Sequence, residues 1–122
     1  MRVRGIRGAI TVNVNEEQPI LKATAELLNG IVNANAIEPG EIASVFVTVT
    51  GDLDATFPAR AIRAMDGWEL VPLMCALEVP VQGSLEKCIR LMVLVNTERT
   101  QEQIEHVYLG GAKALRPDLA KA

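Results

Sequence analysis

The 122-residue sequence predicts one domain, residues 1–122, of α/β composition and α+β type: a mixed, mostly antiparallel sheet carrying one long helix and a short one. Three observations predict it. A single long stretch, about residues 16–35, repeats its apolar residues at helical spacing. Several runs, such as Arg2–Val12, Ile42–Thr50 and Cys88–Val95, are β-branched and strand-like. The length suits one modest core, built from Val, Leu, Ile and Ala because the chain is 49% hydrophobic but only 3% aromatic.

Taken in order, Arg2–Val12 alternates loosely and reads as a strand. Period-two counting puts Val3, Gly5, Arg7, Ala9 and Thr11 on one face, so Arg7 stands between small neighbours that leave room against it. A solvated arginine on an exposed sheet face is the plainer reading. Asn15 is the expected helix N-cap, with Glu16 and Glu17 at the positive helix end and Gln18 completing a capping box. Ile20, Ala23, Leu27, Ile31 and Ala34 then form the core stripe, widened by Leu21, Leu28 and Val32. After Glu38-Pro39-Gly40, Ile42–Thr50 is a second strand. Gly51–Asp54 is a loop, and Thr56 is placed to cap a short helix over Pro58–Met65 that Asp66-Gly67 ends. Arg60 and Arg63, three apart, share a helix face, which is most often merely solvated.

Trp68–Val79 is a third extended segment, interrupted by Pro72, and Pro80 and Gly83 lead into the next strand. That strand, Cys88-Ile-Arg-Leu-Met-Val-Leu-Val, is apolar everywhere except Arg90, a pattern expected of a strand covered on both faces. A guanidinium there cannot lose its charge, and needs an anion and hydrogen bonds to replace its water. The anion is either a protein carboxylate or a ligand. Glu78 is a candidate hydrogen-bond acceptor in a site, and equally a candidate counter-ion for Arg90. Thr97–Gln103 is a loop or one helical turn, His106–Leu109 a short strand, and Gly110-Gly111 precedes a last apolar piece ending in Leu115-Arg116-Pro117-Asp118-Leu119.

The net charge of −3 gives no general attraction to nucleic acid or to an anionic membrane. No apolar run approaches the roughly 20 residues that span a bilayer, and Met1–Gly5 is not followed by the apolar stretch of a signal peptide. Two cysteines, Cys75 and Cys88, fit reduced thiols in a cytoplasm. With His106 they make a poor set for structural zinc. Any Ser/His or Cys/His nucleophile must use that one histidine, and the glycines of Arg4-Gly-Ile-Arg-Gly-Ala are wrongly spaced for a nucleotide loop. Arginine outnumbers lysine eight to four, which suits bidentate capture of carboxylates. The residues therefore point to a small, carboxylate-bearing anionic ligand. Cys75 and Glu78, three apart on one strand, belong on opposite faces unless a bulge intervenes, so the strand either carries a bulge or serves two sites.

Arg4-Gly-Ile-Arg-Gly-Ala, Phe57-Pro-Ala-Arg-Ala-Ile-Arg, Gly67-Trp followed by Val71-Pro72, Cys88-Ile-Arg90, His106-Val-Tyr-Leu and Leu115-Arg-Pro-Asp-Leu resemble, in order and spacing, the monofunctional trimeric α/β chorismate mutases. The resemblance runs over nearly the whole chain. It implies isomerisation of chorismate to prephenate, a step toward phenylalanine and tyrosine, in a cytoplasmic homotrimer with clefts between subunits and with no cofactor, metal, nucleic acid or membrane partner. It implies Arg90 at the ether oxygen, Glu78 and Cys75 at the ring hydroxyl, and Arg7 and Tyr108 at a carboxylate. Phe57 and Ala59 would line the ring, Leu73 and Met74 the pocket, and Arg60, Arg63, Leu115 and Arg116 the mouth. Position 60 is often lysine in that pattern, 73 valine and 74 threonine. Arg60 keeps the charge, Leu73 adds a methylene, and Met74 loses a hydroxyl, which favours a backbone role there. The alternatives are a trimeric imine/enamine deaminase on a similar scaffold with interfacial arginine, and a non-catalytic sensor of small carboxylates.

Overall fold

A computed structural model describes residues 1–116 of the chain. Pro117, Asp118 and Leu119 of the last motif lie outside the described residues. Five strands form one sheet: β1 (Arg2–Thr11), β2 (Ile42–Val49), β3 (Leu73–Leu77), β4 (Cys88–Thr97) and β5 (Val107–Leu109), in the spatial order β3-β2-β4-β1-β5. The two long ladders, β1 with β4 and β2 with β4, are antiparallel, and the short outer ones, β2 with β3 and β1 with β5, are parallel. The mixed, mostly antiparallel expectation therefore stands, with the parallel pairs confined to the edges. Helix α1 (Glu17–Asn35) covers one face, and the short α2 (Ala59–Arg63) packs beside it. No helix among the described residues is long and apolar enough to cross a membrane.

The core lies between α1 and the sheet. Ile6 and Ile10 of β1, Val45 and Val47 of β2, and Ile89, Leu91, Val93 and Val95 of β4 meet Ile20, Leu27, Leu28 and Ile31 of α1. Gly8 lies on the same face, and its lack of a side chain decides how close the helix comes: a Cβ there would sit 2.7 Å from Ile31 Cδ1 and 3.1 Å from Leu27 Cδ1. Toward the helix end the buried position is Asn35, not the expected Ala34, which is exposed. Asn35 donates from Nδ2 to the carbonyls of Ile31 and Glu105, both at 2.9 Å, and accepts the Glu105 N–H at 2.8 Å. It thereby ties the segment before β5 to α1.

Several local expectations need correction. The helix starts at Glu17, and its cap residue is Glu16, which makes no side-chain cap bond. Asn15 instead clamps the loop before α2: its Oδ1 accepts the N–H groups of Asp54 and Ala55 at 3.0 and 3.1 Å, and its Nδ2 donates to Asp54 at 2.7 Å. The tertiary partners outcompete the local cap because one side chain satisfies two loop N–H groups at once. Thr56 does not cap α2, whose cap position is Pro58; its hydroxyl accepts from Arg60 Nη1 at 2.8 Å. Of the segment 68–79 only Leu73–Leu77 is strand. Trp68 is buried in the core ahead of it, in a turn where Gly67 takes φ 87°.

The strand around Arg90 also departs from expectation. It is not covered on both faces in the single chain: Ile89, Leu91, Val93 and Val95 are buried, while Arg90 and Met92 are exposed. The apolar run is a buried face alternating with an open one that is itself largely apolar. At one end of that open face a small second cluster, Ala9, Cys88, Tyr108 and Ala112, is closed off by the turn Gly110–Ala114, with Leu85 and Leu115 packed against it.

Candidate functional site

The sheet register builds the open face in rows. One row runs Ala76, Thr48, Arg90, Ala9, Tyr108, and the neighbouring row Met74, Phe46, Met92, Arg7. Arg7 thus stands on the face that period-two counting assigned it. Ala9 between Arg90 and Tyr108 leaves a floor without bulk, and a cavity of about 220 Å³ opens over it, lined by Arg7, Thr48, Glu78, Arg90 and Tyr108 among others.

The Arg90 side chain is 47% exposed, and its Nε lies 3.6 Å from Glu78 Oε2, an ion pair too long for a hydrogen bond. Glu78 Oε2 also accepts a close hydrogen bond from Thr48 Oγ1, which fixes the carboxylate beside the guanidinium. The counter-ion reading of Glu78 is therefore realised in the single chain, yet Arg90 still presents much of its surface to the cavity. Two guanidinium groups against one carboxylate leave the cavity suited to anions. Beneath Arg90, burial pushes the Cys88 thiol up, with Arg90 pulling the other way; it is a neutral packing residue, not a thiolate.

Cys75 lies elsewhere. It pairs with Val47, whose side chain is in the core, so it points to the helix side of the sheet, while Ala76, in the Thr48 row, points to the open side. The β2–β3 register is continuous over Leu73–Leu77, without a bulge. Cys75 is exposed at the sheet edge and lines a second, open cavity of about 460 Å³ with Thr56, Phe57, Pro58 and Leu77. The two cavities share no lining residue. Glu78 is not on the strand with Cys75, as expected, but follows its last residue, Leu77; Glu78 lines the first cavity and Cys75 the second, so the two serve different places.

The other sequence-identified residues divide between these places. Phe57 is 68% exposed, whereas Ala59, one residue into the helix side, is buried in the core and offers the surface no side chain. Arg60 and Arg63 are exposed on α2, with Arg60 ion-paired to Glu17. Leu73 packs against the core, and Met74 is exposed on the open face next to Phe46. Tyr108 is buried beside Ala9, and Leu115 packs against their cluster, with Arg116 following it. Among the described residues no group of three or more His, Cys, Asp or Glu side chains is placed to hold a metal ion.

Sequence reasoning missed Thr48, the partner of Glu78, and it missed the contact in which His106 Nδ1 accepts the Arg7 backbone N–H at 2.9 Å. Both contacts join residues 30 and 99 positions apart, and no local pattern announces them.

Comparison with known proteins agrees with the fold. Residues 3–119 match the family model described as chorismate mutase type I. The chain is 46% identical over 120 residues to the chorismate mutase AroH of Bacillus subtilis (strain 168), covering 98% of this chain and 94% of that one. It is 50% identical over 121 residues to the chorismate mutase AroH of Thermus thermophilus, covering 98% of each. A solved chorismate mutase from Clostridium thermocellum superimposes with a TM-score of 0.88 at 50% identity, covering 91% of this chain and 98% of that one.

Proposed function

The chain belongs to the chorismate mutase type I family, and on that premise we propose that it converts chorismate to prephenate in clefts completed between the subunits of a homotrimer. The reaction is an isomerisation in the synthesis of phenylalanine and tyrosine, a step at home in the cytoplasm. One C–O bond breaks as one C–C bond forms within the same molecule, so no nucleophile or redox partner is required. What the enzyme supplies is geometry and charge. Chorismate, a dianion, must fold into a compact chair-like shape before it reacts, and arginines gripping its carboxylates hold that shape. As the C–O bond lengthens, negative charge grows on the ether oxygen, and a fixed cation beside it stabilises the transition state more than the ground state.

In this reading Arg90 faces the ether oxygen, held by Glu78, which Thr48 in turn orients. Arg7 and Tyr108 hold a carboxylate from the other side of the Ala9 floor. Phe57 and Cys75, with Arg60 and Arg63 on the adjoining helix, form the opposite wall. Leu115 and Arg116 stand at the mouth on the Tyr108 side. Leu73 and Met74 support the walls, Met74 through its backbone.

The observation that carries the shared cleft is that Cys75 of the unbulged β3 and Glu78, the residue just after it, line separate cavities. In this reading one ligand meets the two from different chains. In a cyclic head-to-tail ring, the Cys75 wall of one copy meets the Glu78 wall of the next. The exposed Phe46, Met74 and Met92 beside Arg90 are what such a neighbour would cover.

A direct assay tests the activity. Loss of chorismate absorbance with appearance of prephenate is the expected result. Ammonia release from an enamine without chorismate turnover would favour the deaminase reading, and carboxylate binding without turnover the sensor.

A further inference from the structure

The Arg7 N–H donates to His106 Nδ1 at 2.9 Å, one position before the first backbone pair of the β1–β5 ladder, Gly8 with Val107. The imidazole takes the place of a main-chain acceptor and extends the ladder by one bond. Nδ1 accepts only when it carries no proton, so His106 is neutral with its proton on Nε2. Its own position is set from behind. The buried Asn35 of α1 grips the backbone of Glu105 through both N–H and C=O, and His106 is the next residue. Two residues further on, Tyr108 pairs with Ala9, which is two residues from Arg7. A hydrogen-bonded path therefore runs from α1 through residues 105 and 106 to the main chain of Arg7.

We infer that His106 is a positioning residue for the isomerisation: its unprotonated Nδ1 sets the Arg7 main chain, and with it the guanidinium, against Tyr108. The inference rests on the reading of Arg7 and Tyr108 as holders of a substrate carboxylate. The charged groups facing the imidazole are Arg7 on β1, Arg116 after the Gly110–Ala114 turn and Glu105 on its own segment, with Lys113 lining the same groove. Burial first, then Arg7 and Arg116, lower the pKa of His106, and Glu105 opposes them. Protonation turns Nδ1 into a donor facing another donor, and the bond to Arg7 is lost. Substrate capture then weakens as pH falls, while Arg90, on a different strand, keeps its place. The effect belongs in KM more than in kcat.

Steady-state kinetics with chorismate between about pH 5 and 8, on wild type, His106→Asn, His106→Ala and Arg7→Ala, test this. The Oδ1 of asparagine reproduces the Nδ1 acceptor and cannot be protonated. Wild-type KM is expected to rise toward acid pH. His106→Ala raises KM about fivefold already at pH 8, the effect of one ordinary hydrogen bond, with little change in kcat. His106→Asn restores KM and removes the acid rise. A wild-type KM in His106→Ala, an acid-flat wild-type profile, or an acid rise retained in His106→Asn would each overturn the inference. If His106→Ala does not fold, the profiles of wild type and His106→Asn decide alone. Arg7→Ala separates the two layers: unchanged KM there removes the carboxylate role of Arg7, whereas raised KM beside unaffected His106 variants removes only the role of His106.

Discussion

Replacing Arg90 by lysine keeps a positive charge on β4 but removes the planar fork that can face Glu78 and an ether oxygen together. The structure separates the effect on folding from the effect on rate. Arg90 is 47% exposed in the single chain and its contact with Glu78 is 3.6 Å, so within one chain the pair contributes under about 1 kcal/mol to stability. The melting temperature is expected to stay within about 4 °C of wild type. For the reaction, the lysine ammonium has one compact centre of charge and cannot serve both partners from one place. The loss is then that of a donor to a developing oxyanion, about 3–4 kcal/mol, or roughly 10²–10³-fold in kcat. The assay is chorismate disappearance at saturating substrate, with far-UV circular dichroism and thermal melting on the same sample. Turnover within about tenfold of wild type, with the fold intact, would refute the electrostatic role of Arg90.

Cys75→Ser is expected to retain most activity, because in the proposed cleft the sulfur would only line a wall and offer a hydrogen bond that serine can also offer; abolition of chorismate turnover would assign it a larger part. Gly8→Ala forces a methyl group to within 2.7 Å of Ile31 Cδ1 and should cost about 1–3 kcal/mol of stability, read as a lowered urea midpoint; an unchanged midpoint would mean α1 can move away freely. His106, whose folded pKa is lowered below its ordinary 6.5 mainly by burial, contributes stability that is fully present above about pH 6.5 and is lost as pH falls through the lowered value. Urea midpoints measured on either side of that value should drop on the acid side in wild type and drop less in His106→Asn; equal acid-side losses would place the titration in another group.

Much of this fold is legible in the residues themselves. The α1 stripe at Ile20, Leu27 and Ile31 and the alternation that sets Arg7 against the core residues Ile6 and Ile10 follow from periods of 3.6 and 2, which depend only on neighbours in sequence. The family resemblance adds the residues proposed for both walls. What local pattern does not contain is which polar side chain wins a contested partner. Asn15 has the makings of a cap, yet it spends its amide on the loop at Asp54 and Ala55. Arg90 reads as buried because its strand is apolar at every other position, but strand burial depends on what lies across each face, and one face of this sheet is open in the single chain. The same open face makes the error informative, since apolar residues such as Phe46 and Met92 beside a guanidinium are what a subunit neighbour would cover. The parallel direction of β3 and β5 is likewise a property of chain crossings, not of residues 73–77 or 107–109 taken alone.

Mixed refolding of two inactive variants tests the shared cleft most directly. Arg90→Ala disables the wall carrying Arg7, Glu78 and Tyr108, and Cys75→Trp blocks the wall carrying Phe57. In the proposed homotrimer each alone is expected to leave every cleft defective. Refolded together in equal amounts, random assembly gives about one-quarter of clefts with both walls intact, in any closed ring of heterologous interfaces. Recovery of about one-quarter of wild-type chorismate turnover is the predicted result. Confirmed mixed trimers with no recovered activity would place both walls in one chain and contradict the account.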